Sequence, residues 1–409
     1  MSKHTHTTEQ ERQQFAHLTD LYFTTRKNKR YGRDAMEYEV SWVSNLVHDF
    51  TERRERTLRI LHNYAFLTSV PKWREIMATE FRGRLIDHEI CEAVMPASER
   101  ILSPYTFNNR KGKGAQAAMN LLIEHICEVS NGYTEPCRII KLDIKGYFPS
   151  ALWDYAEQCT DTVIDMTDCA DKDYLKWLTM IAVHCNPAAH CEKRTALYLW
   201  QEHIEPEKSI LTKPEGVGAA IGRLIWQAAM GLYINDEIIW LTEDRGLRVV
   251  CFVDDIVMTV PEYLHAYALA TIPELRRRLA SKGIRLNDRK FYDQPYGHGV
   301  EFLGSHIKPF RILLNDKTCE RALTRVDELN AAKVKTGIVN QFLSSLNSYT
   351  GLLKARTEHK RLMALRDSVS DDWYNYVEWD EGRQCVTPRP QYSYRNRMNS
   401  KYHLKLKAL

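Results

Sequence analysis

Residues 251–258 read Cys251-Phe252-Val253-Asp254-Asp255-Ile256-Val257-Met258, two adjacent acids inside an otherwise apolar run. An unpaired carboxylate in an apolar setting is costly, and two side by side are worse. Along a strand, successive side chains point to opposite faces, so only one of the pair could face a given side. A hairpin resolves the conflict: with Arg248–Phe252 and Ile256–Thr259 as its strands, both acids are presented at the tip. A divalent cation would neutralise them there, and carboxylate oxygens suit magnesium. A surface hairpin with an Asp-Asp turn accounts for this segment equally well.

A second acid lies in a similar setting. Arg138-Ile139-Ile140-Lys141-Leu142-Asp143-Ile144-Lys145 is an extended apolar segment with an acid near its end, and Gly146 and Pro149 then break the strand. Taken alone, Asp143 could end an ordinary strand. Together with Asp254 and Asp255 it supplies the carboxylates that two magnesium ions need for in-line phosphoryl or nucleotidyl transfer.

Further blocks surround these acids. In chain order they are Pro71-Lys72-Trp73-Arg74-Glu75-Ile76, Asn109-Arg110-Lys111-Gly112-Lys113-Gly114, Leu142–Phe148, Gly218-Ala219-Ala220-Ile221-Gly222-Arg223-Leu224-Ile225-Trp226-Gln227, Phe252–Asp255, Gly283–Lys290 and Gly299–Ile307. Order and content resemble a bacterial reverse transcriptase of the lineage that includes group II intron enzymes, diversity-generating retroelements, retrons and defence-associated enzymes. The ordered set is more specific than any one block.

The resemblance implies an α+β right-hand polymerase fold: fingers, a palm whose antiparallel sheet carries the catalytic Asp residues, and a helical thumb. It divides the chain into a helical extension (1–65), fingers (66–135), palm (136–310, with a helical insertion at about 151–215), thumb (311–370) and a basic aromatic tail (371–409). Helical spacing of apolar residues over Phe15–Tyr22, Trp42–Leu61, Cys319–Ala332 and Ile338–Leu353 agrees with the helical parts.

The implied roles follow block by block. Asp143, Asp254 and Asp255 are catalytic, and with Ile144 they form the metal site for two Mg2+ ions, with Mn2+ as the alternative ion. Lys290 resembles the lysine that protonates departing pyrophosphate. Lys72, Arg74, Ile144, Phe148, Ile221, Gly222 and Gln227 fall where the family binds the nucleotide, the amides near Ile144–Phe148 helping to hold the triphosphate. Lys72 and Arg74, two apart, project from one face of an extended segment, Arg as a fork and Lys as a point charge. An aromatic at Phe148 implies exclusion of a ribose 2′-hydroxyl; a plain core Phe is the other reading.

Departures from the family pattern cluster in one block. Ile221 stands where many relatives carry Gln, Ala219-Ala220 replaces Leu-Pro, and Trp226-Gln227 replaces Ser-Gln. Trp226 is open to two readings, core packing or stacking on a base. The resemblance therefore implies an RNA-directed DNA polymerase, with an associated non-coding RNA as template, deoxynucleoside triphosphates as substrate and DNA as product. The setting it implies is anti-phage defence, with a protein subunit or a second copy as a further partner. Mutagenic copying in a diversity-generating retroelement, template-independent synthesis, and a non-catalytic RNA-binding scaffold are the alternatives.

Composition bounds these readings. The chain has 409 residues, 44% hydrophobic, enough for two or three subdomains. No apolar run approaches a membrane span, and the polar start Met1-Ser2-Lys3-His4 lacks a signal-peptide core. Ten scattered cysteines suit reduced thiols in a cytoplasm. Net charge is only +4, so affinity for nucleic acid has to come from local patches. The candidates are Arg53–Arg59, Arg276-Arg277-Arg278 and the tail Tyr392–Lys407, each with an ordinary reading as a solvated face or terminus. His184, Cys185, His190 and Cys191 fit no standard zinc spacing.

Overall fold

The apolar segment 137–145 is extended over its whole length, and its alternation sets the architecture around it. The computed structural model describes residues 8–27, 32–68, 73–332, 338–356 and 358–392. The fold is α+β, divided into two compact units: residues 1–125 with 140–293, and residues 126–139 with 294–409.

The first unit carries β1 (Asn63–Thr68), β2 (Arg74–Thr79), β3 (Thr106–Phe107), β4 (Cys137–Lys145), β5 (Cys191–Lys193), β6 (Arg248–Phe252), β7 (Asp255–Pro261) and β8 (Arg285–Leu286). A central sheet runs in the order β3-β6-β7-β4-β8. β6 and β7 form an antiparallel hairpin in which Phe252 pairs with Asp255, leaving Val253 and Asp254 as its two-residue turn. The apolar residues on both sides of β4 are buried because helices cover the sheet, and Ile139, Ile140, Leu142 and Ile144 join the core. A smaller sheet, β2-β1-β5, combines an antiparallel and a parallel pairing.

Helices Phe81–Ser98, Trp153–Asp165, Lys172–Val183 and Leu224–Tyr233 pack on one another. A buried ion pair ties two of these segments: Arg223 donates to Asp87 (2.5 Å) and to the Ala182 carbonyl (2.6 Å). The segment 151–215, expected to be a helical insertion, holds three helices and β5. At the N-terminal side, helices Glu9–Arg26, Arg33–Val40 and Trp42–Arg54 share a small core with Phe81 and Leu85 of helix Phe81–Ser98. The first of them starts on a capping box between Thr8 and Glu11.

The central sheet has a sixth strand, β9 (Tyr292–Pro295), which pairs with β4. The second unit contains an antiparallel sheet of β10 (Val300–Phe302), β11 (Ser305–Lys308) and β12 (Arg311–Leu314). Helices Asp316–Ala331, Val339–Lys354 and His359–Asp367 follow, with Phe342 stacked on Trp373 at 3.9 Å in their core. Residues 371–392, read from sequence as the start of a basic tail, instead form a short helical turn and the hairpin β13 (Val377–Asp380) and β14 (Cys385–Pro388). Trp373, Val377 and Val386 are buried with the helices, which is why this stretch folds. The tail from 393 onward lies outside the described residues. Among the described residues, no helix is long and apolar enough to cross a membrane.

Candidate active site

Asp143 sits near the end of β4 and is only 7% exposed. Two side chains from the β8 turn hold it: Asn287 Nδ2 donates to Oδ2 (2.9 Å) and Lys290 Nζ to Oδ1 (2.7 Å). The backbone adds a further tie, from the Asn287 amide to the Asp143 carbonyl (2.7 Å). On the other side of β4, the Ile144 amide donates to the Asp254 carbonyl at 2.9 Å. In a strand a residue's N–H and C=O point the same way, so the Ile144 carbonyl also faces the acidic turn. That use of the Ile144 amide corrects the expectation that it holds a triphosphate.

The turn itself is strained. Val253 has φ of 57°, a left-handed conformation rare for a β-branched residue, and it presents Asp254 at the tip. Asp255 begins β7 and bonds Lys141 Nζ at 3.0 Å. Lys141 and Asp143 are two apart on β4 and therefore share a face. Burial alone would lower the pKa of Lys290. The hydrogen bond and charge of Asp143, with the charges of Asp254 and Asp255, hold it above the ordinary lysine value instead. All three acids thus act on one ammonium group.

Immediately after β4, Gly146 takes φ of 58° and Tyr147 is right-handed helical. Such an alternation turns successive amides toward one point, a concavity suited to an anion. The amides of Gly146, Tyr147 and Phe148 find no acceptor among the described residues. Phe148 is half-buried, and its carbonyl accepts from the Ala219 amide at 2.8 Å. Gly218 donates to the Ala151 carbonyl at 2.7 Å, and the Ile221 carbonyl accepts from Met77 on β2 at 2.8 Å. The blocks read from sequence at 142–148 and 218–227 are therefore joined by a backbone bond, and the second also meets β2 at Met77, one residue past the block 71–76. Gly222 has φ of 122°, and a Cβ there would meet the Met77 carbonyl oxygen at 2.8 Å. Only glycine passes β2 this closely.

Solved structures similar to this chain include telomerases. They include an apo telomerase of Candida tropicalis truncated from its C-terminal domain (11% identity, TM-score 0.42, covering 63% of this chain and 55% of that one). Also similar are the Candida albicans telomerase with a TWJ fragment of telomeric RNA (12%, 0.39, 83% and 62%) and the Candida tropicalis telomerase with such a fragment (9%, 0.45, 78% and 54%). The chain thus spans between about half and three fifths of their length. No protein-family model matches the sequence, and no curated protein does.

Other predicted residues fall less centrally. Arg74 is exposed at the start of β2, and Lys72 lies outside the described residues. Gln227 is half-buried in the first turn of helix Leu224–Tyr233. Trp226, 1% exposed, is a core residue, which decides between its two readings in favour of packing. In the basic Gly-rich block, Arg110 bonds Glu99 and the carbonyls of Ser103 and Thr106, and Lys113 bonds the Pro104 carbonyl. These cations brace their own loop.

Several members of the arginine runs are likewise paired. Arg53 is buried against Glu89 and Tyr174, while Arg276, Arg277 and Arg278 pair with Asp288, Glu274 and Glu237. Two cavities of the first unit, one beside Asn63, His184 and His190 and one beside Tyr64 and Arg194, contain none of the predicted site residues.

Magnesium takes hard ligands, and the carboxylate oxygens of these acids are of that kind. In this structure an ammonium group already lies against Asp143 and another against Asp255, where a cation would bind. Among the described residues no group of three or more His, Cys, Asp or Glu side chains is arranged to hold a metal ion. The chemistry of the donors fits the ion, and gathering them requires Lys290 and Lys141 to release their partners. Sequence reading assigned no role to Asn287 or Lys141. The signal for Lys141 was its two-residue spacing from Asp143.

Proposed function

We propose that the chain is a reverse transcriptase with a right-hand polymerase fold, extending a 3′-hydroxyl with deoxynucleotides and releasing pyrophosphate. The observation that carries this reading is Lys290. It bonds Asp143 and feels the charges of Asp254 and Asp255, acids that come from separate segments and are presented by the end of β4 and a strained hairpin turn. On this reading the central sheet is the palm, β1 and β2 belong to the fingers, and the helices after β12 form the thumb.

Asp143 and Asp254 would be the primary magnesium ligands, with Asp255 and the Ile144 carbonyl beside them. The bound ions would lower the pKa of the attacking hydroxyl and neutralise charge on the leaving group. The chain's own residues do the rest. The free amides of Gly146–Phe148, with Arg74 and Lys72, receive the triphosphate. Phe148, fixed against the Ala219 amide, limits the space at the sugar. Lys290, an ammonium that leaves Asp143 once the ions bind, would deliver the proton to pyrophosphate.

Placement in the bacterial lineage, an associated non-coding RNA as template, a cytoplasmic setting and a role in anti-phage defence extend the same reading. The departure at Ile221 supports a specialised template over general copying. A second reading, a non-catalytic RNA-binding scaffold, draws on the lysines that neutralise the acids. Purified chain with its co-purifying RNA, magnesium and labelled deoxynucleotides separates the two. Synthesis that is lost in the Asp254→Ala, Asp255→Ala double variant supports the polymerase. No synthesis, or synthesis unchanged in that variant, rejects it, and sequencing the RNA and DNA products identifies the template.

A further inference from the structure

In the second unit, β11 and β12 are joined by the two-residue turn Pro309–Phe310, with Lys308 opposite Arg311. Three features of this tip oppose stability. Phe310 has φ of 63°, a left-handed conformation unfavourable for a bulky side chain. Its ring is 81% exposed, so burial does not offset the strain. Lys308 and Arg311 face each other across the ladder, and like charges so placed repel. Both are exposed, and neither has an acidic partner among the described residues.

The exposed ring is also part of an aromatic row. Phe310 lies 4.5 Å from Tyr133, tilted by 56°, and Tyr133 lies 5.9 Å from Tyr296. The Tyr296 hydroxyl donates to the Tyr133 carbonyl at 2.8 Å, which fixes this row in place. Tyr133 itself has φ of 70°, so two aromatic residues are held left-handed side by side.

We infer that this tip is a platform for single-stranded nucleic acid. An unpaired base stacks on Phe310 beside Tyr133, and its phosphates lie against Lys308 and Arg311. Every base has a π-face, so such a surface binds without strict sequence preference. Phosphate relieves the repulsion between the two cations, which an apolar partner cannot do. A duplex keeps its bases stacked internally and has none to offer. The platform would serve the RNA template or DNA strand of the function proposed above, but binding to it does not depend on synthesis.

The test uses the full chain without magnesium and three fluorescent probes of equal length: oligothymidylate, oligouridylate and a duplex. Binding is followed by anisotropy over a range of salt. Phe310→Ala should weaken binding of both single strands by about fivefold or more, the lower range for loss of one aromatic–base stack. Duplex binding should change by less than twofold. Lys308→Ala with Arg311→Ala should flatten the slope of log affinity against log salt by about 1.4, or about 0.7 for each phosphate contact. Phe310→Gly should weaken single-strand binding while raising the thermal midpoint, because glycine relaxes the left-handed turn.

Single-strand binding unaffected by Phe310→Ala, an equal loss on the duplex, or a lower midpoint in Phe310→Gly would each overturn the platform. So would a wild-type chain that binds neither single strand. Loss of the charge contacts alone, with Phe310 indifferent, would reduce the tip to non-specific phosphate attraction and also overturn it. None of these readouts uses DNA synthesis, so failure of the polymerase reading is distinguishable.

Discussion

Replacing Lys290 with Met removes the group that competes with a metal ion for Asp143. Its ammonium lies 2.7 Å from Oδ1 and its side chain is 60% exposed. At that separation the gross attraction is about 6 kcal/mol for an effective dielectric of 20 and about 1.5 kcal/mol in water. Solvent reaches this lysine, so the net value falls to about 0.5–1 kcal/mol, as for other exposed pairs. An ion binding at Asp143 has to displace the lysine and loses that much affinity. Lys290→Met should therefore bind Mg2+ about two- to fivefold more tightly, since each 1.4 kcal/mol is a factor of ten. The assay is the rise in thermal midpoint with magnesium concentration, without nucleotide, in wild type and variant. Half of the effect should come at lower magnesium in Lys290→Met, while DNA synthesis falls because the proton donor is gone. An equal or higher requirement, or no magnesium effect on either chain, would refute the reasoning.

The other predictions concern the frame around the site. Asp87→Ala leaves the Arg223 guanidinium buried without its carboxylate, both side chains being 1% exposed, and should cost about 3–5 kcal/mol in denaturant unfolding. Trp226→Ala should lose about 3–5 kcal/mol as a core truncation; a changed nucleotide KM at unchanged stability would contradict its burial. Val253→Gly should raise stability by up to about 1 kcal/mol by relaxing the left-handed turn, and lower synthesis by loosening Asp254; a destabilised variant would argue against strain there. Burial, then the charge of Glu157, pushes the Asp161 carboxyl up to about 6 against the pull of Lys176. A raised acid favours the folded state while protonated, and that contribution is lost as pH rises through about 6. Asp161→Asn should therefore be more stable than wild type at pH 7, by about 1 kcal/mol or less given its partial exposure, and equal to it below the ordinary carboxylate pKa.

Much of the frame was legible because it is local. The apolar run with a breaker at Gly146 marks β4, and an acid pair inside 248–259 makes sense only at a hairpin tip. Helical spacing marked the elements after residue 315 in the same way. What escaped depends on segments far apart in the chain. Arg53 and Arg110 read as members of basic patches, but Glu89 and Glu99 neutralise them. Trp226 sits on a helix whose buried face is chosen by its neighbours, so the sequence leaves packing and stacking open. The hairpin 377–388 was missed because aromatic and basic residues around it resemble an extended tail, and only Phe342 and its neighbours give Trp373 something to pack against.

The sequence alone determined that Asp143, Asp254 and Asp255 stand at strand ends and turns, since side-chain alternation and the cost of buried carboxylates allow little else. It also set the order of the blocks along the chain. Tertiary structure decided what each acid meets. Asn287 and Lys290 reach Asp143 from the turn after β8, and Lys141 reaches Asp255 from β4. It likewise decided which amides after Gly146 stay free and which cations are already paired. These outcomes rest on electrostatics and hydrogen bonds across distant segments, whose energies depend on separation and burial rather than on position in the chain.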